Sequence, residues 1–251
     1  MSNQSQSTKF LLGEFRSELL RWNAQINLVS RQETDDLLEG LFKQCLGGEE
    51  AVLLWLKNSG WESRAKNGIC YFDLGSGGGL PGLVWHLLLN DDFEPVRSFL
   101  VEPREKRAWF LQRLNRISGM PGFDALHGRW GEVAVAGLGE SLELKKQQVI
   151  VISLKALHLD DLVVLQGLGA AFSSQPGFLV GKSVILARYY PPEQSFDSKL
   201  VSQLKISPAN ELVGMGDYIY KSGGGDVLAL GPSGLGLASL VVSSYESQNS
   251  Q

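Results

Sequence analysis

The chain has 251 residues, of which 43% are hydrophobic and 20% charged, with a formal net charge of -4. That is enough apolar material for one large α/β domain, or one domain with a small appendage. The acidic balance argues against a dedicated polyanion binder over the whole surface, while leaving room for a local basic face.

In chain order, residues 1–8 read as a disordered polar tail with no apolar signal-like core. Residues 9–62 read as a helical segment. Leu11, Phe15, Leu19 and Trp22 recur at helical spacing from Phe10 onward, and the pattern breaks between Asn23 and Ser30. A second helix is expected from Thr34 to Leu46. A third, Glu49 to Lys57, ends at a C-cap in Asn58-Ser59-Gly60.

Residues 63–245 then alternate strands with helices. The strand-like runs are Ile69–Leu74, Ser98–Glu102, Phe123–His127, Val149–Ser153 and Val184–Tyr189. The helix-like runs are Leu80–Asn90, Arg104–Ser118 and Leu157–Phe172, with an uncertain connection from Gly131 to Gln148. This pattern predicts an α/β fold, with a mostly parallel sheet covered by helices on both faces. A closing hairpin is expected where Glu211–Tyr220 and Asp226–Leu230 flank Ser222-Gly223-Gly224-Gly225. Val227 to Val242 carries Gly231, Pro232, Ser233, Gly234 and Gly236, so it reads as strand, turn and strand rather than a membrane span. The polar end from Glu246 to Gln251 reads as a second disordered tail.

Cys45 and Cys70 sit in no CxxC or Cys/His cluster, which fits a reducing cytoplasm and no disulfide framework. His86, His127 and His158 are isolated, with no metal-ligand spacing, and His86 is expected to be packed among leucines.

The most informative stretch is Asp73-Leu74-Gly75-Ser76-Gly77-Gly78-Gly79-Leu80-Pro81-Gly82, between a strand and a helix. Such a unit ordinarily holds a nucleotide-like cofactor. Two readings compete. Gly77-x-Gly79-x-x-Gly82, with Glu102 at the end of the next strand, matches a dinucleotide fingerprint. Asp73-x-Gly75-x-Gly77-x-Gly79 matches motif I of class I methyltransferases that use S-adenosylmethionine. The two differ in charge. A carboxylate at Asp73 opposes a pyrophosphate but suits a cofactor carrying an ammonium and a sulfonium. Glu102 suits either, since a carboxylate accepts hydrogen bonds from ribose hydroxyls. Asp73 could instead cap the following helix or order the loop, and Gly78 and Gly82 could serve only the turn and close helix–strand packing.

Further segments are more specific. Trp22-Asn23-Ala24-Gln25-Ile26-Asn27-Leu28-Val29-Ser30 resembles the WN…NL signature of bacterial 16S rRNA guanine-N7 methyltransferases of the RsmG/GidB type. Glu102, Lys106, Arg107, Phe110 and Leu111 are similar to that family's acid and KRxxFL helix. Gly128-Arg129-Trp130-Gly131-Glu132 and Val151-Ile152-Ser153 fall where the family has corresponding segments. The resemblance implies a Rossmann-like class I methyltransferase fold over 63–245. It implies S-adenosylmethionine held by the backbone at Gly75 and Leu80, with Trp130 and Gly131 beside the adenine. It also implies methyl transfer to guanine N7 of 16S rRNA, as free RNA or in the small ribosomal subunit.

The chain departs from the family on the substrate side. Leu154 stands where the family has an arginine, Lys155 follows one position later, and Arg188 is the nearest match to a late lysine. Lys155 and Arg188 are therefore the candidate substrate contacts. A helix carrying Arg104, Lys106, Arg107, Arg113 and Arg116 offers a basic face for phosphate, or a solvated surface. A paralogue acting on another RNA, a small molecule or a protein, and a non-enzymatic binding protein that kept the pocket, are the alternatives at this stage. No catalytic acid or base stands out, and none is required, because guanine N7 offers a lone pair and loses no proton.

Overall fold

The computed structural model describes residues 5–29, 35–58, 60–129, 149–155, 183–189, 213–215, 218–221, 229–230 and 235–242. The helix expected at Leu157–Phe172, the connection Gly131–Gln148, Trp130 and Gly131, residues 1–4, the glycine turn Ser222–Gly225 and the tail 246–251 lie outside them.

Helix α1 (Gln6–Ile26) begins inside the segment expected to be a tail. Its cap explains this: the Ser5 Oγ accepts the Thr8 N–H, and Asp91 accepts from both the Ser5 N–H and its hydroxyl. Leu11, Phe15 and Leu19 are buried as the spacing requires. The helix ends at Asn27, which adopts a left-handed conformation (φ 55°) and returns its N–H to the Asn23 carbonyl.

The second and third expected helices are one, α2 (Asp35–Asn58), followed by the short α3 (Glu62–Ala65). Gly47-Gly48, read as a break, lies inside α2. At Gly47 a Cβ would meet nothing, but at Gly48 it would overlap the Tyr189 hydroxyl and press on Trp85. Gly48 therefore permits contact with the sheet rather than ending the helix. The Trp85 indole donates to the Cys45 carbonyl at 2.8 Å across the same interface. The expected C-cap is present: Gly60 (φ 71°) donates to Lys57 and Trp61 donates to Leu56, a Schellman arrangement.

The sheet contains β1 (Ile69–Leu74), β2 (Val96–Glu102), β3 (Asp124–His127), β4 (Val149–Leu154) and β5 (Ser183–Tyr189), mutually parallel in the order β3-β2-β1-β4-β5. Every residue of β1 and β4 is buried, as expected of central parallel strands covered on both faces. Helices α4 (Gly82–Asp92) and α5 (Glu105–Leu114) follow β1 and β2. The hydrophobic core is continuous between sheet and N-terminal helices, since Phe15, Leu19, Leu28 and Val52 share it with Tyr71, Trp85 and Phe110.

Beyond β5 the sheet turns antiparallel through β9 (Leu235–Val242). C-terminal hairpins close the sheet. The run expected as one strand splits into its own hairpin, β6 (Val213–Met215) with β7 (Tyr218–Lys221). The short β8 (Ala229–Leu230) pairs with β9 across the turn expected at 231–234. β7 also pairs with β9, in the path that the expected hairpin would have given to β8.

Strand order reverses on either side of β1. The crevice at the carboxyl ends of β1 and β4 is therefore the place where open α/β sheets bind ligands.

The α2 packing yields a paired test. Gly48→Ala is expected to lower stability by about 1–3 kcal/mol through overpacking against Tyr189 and Trp85. Gly47→Ala, one residue away on the exposed side, should raise it by up to about 1 kcal/mol through helix propensity. Urea unfolding of both variants measures the contrast; equal effects would contradict this packing.

Candidate cofactor and substrate site

A cavity of about 460 Å³ opens at the carboxyl ends of β1 and β2. Its floor is the glycine loop, Gly75 to Gly78, with Leu80. One wall carries Glu102, Arg104 and Arg107, another Asn27, Leu28 and Val29, and Lys155 stands at the end of β4. Among the candidate residues, the structure brings together Gly75, Gly77, Leu80, Glu102 and Lys155. Arg188 lies in β5 beside Leu154 in register.

The loop is held by its own hydrogen bonds. The amides of Gly75 and Ser76 both donate to the Val101 carbonyl, that of Gly77 to Glu102 Oε2, and that of Gly79 to Ser76. Gly75, Gly77 and Gly79 all have positive φ, conformations that residues with a Cβ rarely adopt. With these four amides engaged inside the protein, the loop is poorly equipped to cradle a pyrophosphate, which needs free N–H groups. This weakens the dinucleotide reading.

Glu102 is almost fully buried and also accepts the Arg104 N–H at 2.8 Å through Oε1. Each oxygen has a second lone pair, so the carboxylate retains capacity for ligand hydroxyls. It closes one end of the cavity by tying the loop after β1 to the end of β2.

Asp73 departs from its expected place. It does not line the cavity; it is 1% exposed beneath the loop. The Ser153 hydroxyl donates to its Oδ1, and Tyr71 shares a 2.7 Å hydrogen bond with the same Ser153 oxygen. Its other side lies against Gly82 at the start of α4, where a Cβ would overlap the carboxylate. The positive end of α4 thus faces Asp73 rather than a ligand, and Gly82 is the residue that admits this approach. Burial pushes the carboxyl up to about 6, against the pull of Ser153, Ser76 and Lys155.

The residues missed by sequence reasoning come from the WN…NL segment. Asn23 Oδ1 accepts the Val29 N–H at 2.9 Å and shapes the turn after α1. Arg107 donates to the Asn27 carbonyl at 2.6 Å, half-buried against the loop. Leu28 and Leu19 sit over Gly78, where a Cβ would come within 3.1 and 3.0 Å of them; Phe15 and Leu111 sit over Gly79. The two sequence segments singled out for resemblance are therefore in contact, and the loop lies between them. Their signal was present in the motif, but not the information that they form a cavity wall.

Lys155 lies with its ammonium 5.5 Å from the Tyr189 ring centre and 3.9 Å from the Cys45 sulfur. Burial pushes the Cys45 thiol up to about 11, although Lys155 opposes the shift, so the sulfur is no nucleophile at neutral pH. His86 is fully buried, as expected. Its Nε2 donates to the Pro121 carbonyl, its Nδ1 accepts from Ser98, and burial lowers it to about 4. Among the described residues no group of three or more His, Cys, Asp or Glu side chains could hold a metal ion, and no helix is long and apolar enough to cross a membrane.

Asp73 should leave a signature in the pH dependence of stability. Its folded-state value lies above that of an unfolded aspartate, so its contribution is complete below about pH 4. It is lost as pH rises through about 6, a change of about 3 kcal/mol. Urea unfolding across this range should show the wild-type protein losing stability relative to Asp73→Asn. Comparison with the variant cancels His86 and other titrating groups. A constant difference between the two proteins would mean that Asp73 ionises normally.

The family model described as rRNA small subunit methyltransferase G matches residues 9–157, from α1 through the end of β4. Among individual relatives, the ribosomal RNA small subunit methyltransferase G of Ruegeria sp. is 31% identical over 116 residues, covering 46% of this chain and 50% of that protein. Its counterpart in Rhodospirillum centenum is 32% identical over 132 residues, covering 53% and 52%. The one in Nitrobacter winogradskyi is 27% identical over 153 residues, covering 61% and 47%. The chain spans about half the length of the curated relatives it matches. The match takes in the glycine loop, Glu102, the α5 helix and the segment that covers them, and on it the chain belongs to the rRNA small subunit methyltransferase G family.

Proposed function

We propose that this chain is an S-adenosylmethionine-dependent methyltransferase acting on guanine N7 of 16S rRNA, in the cytoplasm, with free rRNA or the small ribosomal subunit as its partner. The observation that carries this reading is the state of the loop amides. A glycine loop whose N–H groups are engaged internally, beside a carboxylate that can take ribose hydroxyls, suits a nucleoside cofactor without phosphates. Family membership supports the same activity.

S-adenosylmethionine, when bound, supplies a methyl group on an electrophilic sulfonium. Gly75, Gly77 and Leu80 would form the floor beneath it, and Glu102 would hold its ribose. At Gly77 an added Cβ would meet the Arg107 guanidinium at 3.6 Å and the Gly75 carbonyl at 3.9 Å, ordinary contacts, so the absence of a side chain there keeps cavity volume open. Trp130 and Gly131 remain the proposed adenine contacts. Asp73 acts as a positioning residue, fixing the loop and the start of α4 from below.

On the substrate side, Arg104, Arg107 and Lys155 give the cavity three cations against Glu102. They suit the phosphates around an extruded base, which orient RNA without reading its sequence. Arg188 is proposed as a further phosphate contact. N7 of guanine carries a lone pair and loses no proton on methylation, so the residues need only exclude water and orient the base. Orientation alone accounts for several kcal/mol in comparable reactions. Among the described residues the cavity has one carboxylate, which accepts two backbone N–H groups, and no acid–base pair, which fits that requirement.

The test is incubation of the full chain with labelled cofactor and small subunits or 16S rRNA lacking the modification, followed by nucleoside analysis. Label in N7-methylguanosine is expected. Label in another RNA position, in protein or in a small molecule would move the chain to a paralogous activity; no label with cofactor binding intact would leave a binding protein that keeps the pocket, and no cofactor binding would sink the S-adenosylmethionine reading itself. Calorimetry should also show Glu102→Ala binding S-adenosylmethionine at least about tenfold more weakly, since hydrogen bonds to a charged group contribute about 1.5–3 kcal/mol. Unchanged affinity would remove Glu102 from the cofactor site.

A further inference from the structure

Helix α5 presents an aromatic and basic surface that the cavity does not use. Lys106, Trp109 and Arg113 follow one another at three- and four-residue spacing and so share one stripe of the helix. Trp109 is 45% exposed on a helix whose Ala108, Phe110, Leu111 and Leu114 are buried. A lone exposed indole is ordinary on a protein surface, and only its neighbours can give it a role.

Its surroundings supply one. Trp109 meets Trp22 of α1 edge to face, with ring centres 5.0 Å apart. Trp22 is itself fixed: its indole N–H donates to Glu18 at 3.0 Å, and Arg113 and Arg21 approach its ring at 5.2 and 6.0 Å. Glu18 is held ionised. Burial raises it, but hydrogen bonds from Trp22, Arg113 and Arg21 outweigh that and leave it below its ordinary value. Glu18 thus partly neutralises Arg21 and Arg113, while Lys106 and Arg116, both exposed, make no ion pair among the described residues. Glu105 is the one acid of α5. The result is a rigid aromatic step, flanked by cations, in a protein of negative net charge.

The step and the cavity are built on the same two elements, though they occupy different faces of α5. Arg107, next to Lys106, lines the cavity and holds the Asn27 carbonyl at the far end of the segment that Trp22 begins. Trp22 and Asn27 are five residues apart in the chain, a span of at most about 18 Å, so an RNA strand a few nucleotides long can reach both the cavity and the step.

We infer that Trp109, supported by Trp22 and flanked by Lys106, Arg113 and Arg116, is a stacking platform for an unpaired RNA base neighbouring the one that enters the cavity. Aromatic side chains combined with cations along a backbone track are the general means of holding single-stranded nucleic acid, because every base has a π-face and every nucleotide a phosphate. The inference rests on the proposed RNA substrate and adds where, and by what chemistry, the RNA beside the target base is held.

The experiment measures binding of the full chain to short single-stranded oligouridine and to an abasic oligonucleotide of equal length, at low and raised salt. The wild-type protein should prefer the base-containing strand by about tenfold or more, the scale of one base stacked on an aromatic side chain. Trp109→Ala should abolish that preference, and Trp109→Phe should keep most of it, with cofactor affinity unchanged by calorimetry in both. Lys106→Ala should weaken both strands alike and flatten the salt dependence. A wild-type protein without preference for bases, or a preference that survives Trp109→Ala, overturns the platform. So does sedimentation showing that Trp109 mediates self-association while RNA binding is untouched. The labelling experiment on the wild-type protein reports separately on methyl transfer. Label in rRNA with no Trp109 effect sinks the platform alone; a Trp109-dependent base preference with no label supports the platform and sinks the assigned reaction.

Discussion

The structure depends on how closely the glycine loop is enclosed. Gly78 and Gly79 lie within contact distance of Leu19, Leu28, Phe15 and Leu111, so a side chain at either would press on residues of α1, the turn after it or α5. That enclosure sets the position of every element around the crevice. Helix α1 must end where Asn27 turns, Arg107 must reach its carbonyl, and the residues after Asn27 become a cavity wall. Glycine here serves packing as much as conformation. The loop is a layer between two helices rather than an exposed cradle.

The same closeness explains the electrostatics. Asp73 is buried under the loop, against the start of α4, with Ser153 and Tyr71 in a hydrogen-bonded chain beside it. Its charge meets a helix end and hydroxyl groups rather than a ligand, and these offset only part of the cost of burial. The carboxylate that does reach the cavity, Glu102, comes from the next strand. Two acids that look alike in the sequence, each at the end of a strand, therefore have different work. One stabilises the loop from within, and the other faces the space above it.

Much of this was legible in the residues. Ile69–Leu74 was readable to the residue because the run Ile69–Phe72, bounded by Gly68 and the glycine loop, leaves a central strand no other boundary. Strand order could be anticipated in class, since β–α alternation implies parallel pairing. Long-range contact was not legible. Gly47-Gly48 looks like a helix stop, and only the position of Tyr189, far along the chain, shows that Gly48 is an accommodation. Asp73 reads as a ligand because strand-end acids commonly are, and nothing local reveals that Gly82 and Ser153 enclose it. Pairing at the C-terminal end was not legible, because several short strands compete for β9 and turn chemistry does not choose among partners. The WN…NL segment announced itself as a motif, but its contact with α5 arises only in the folded chain.

The internally bonded loop has a thermodynamic consequence. Its amides find partners in Val101, Glu102 and Ser76, and its glycines already occupy their unusual conformations, before anything enters the cavity. Ordering that floor is a cost met once, during folding, and not again on each encounter with a ligand. Association then draws on a preorganised surface, so the free energy of contact appears as affinity rather than being consumed in fixing the backbone.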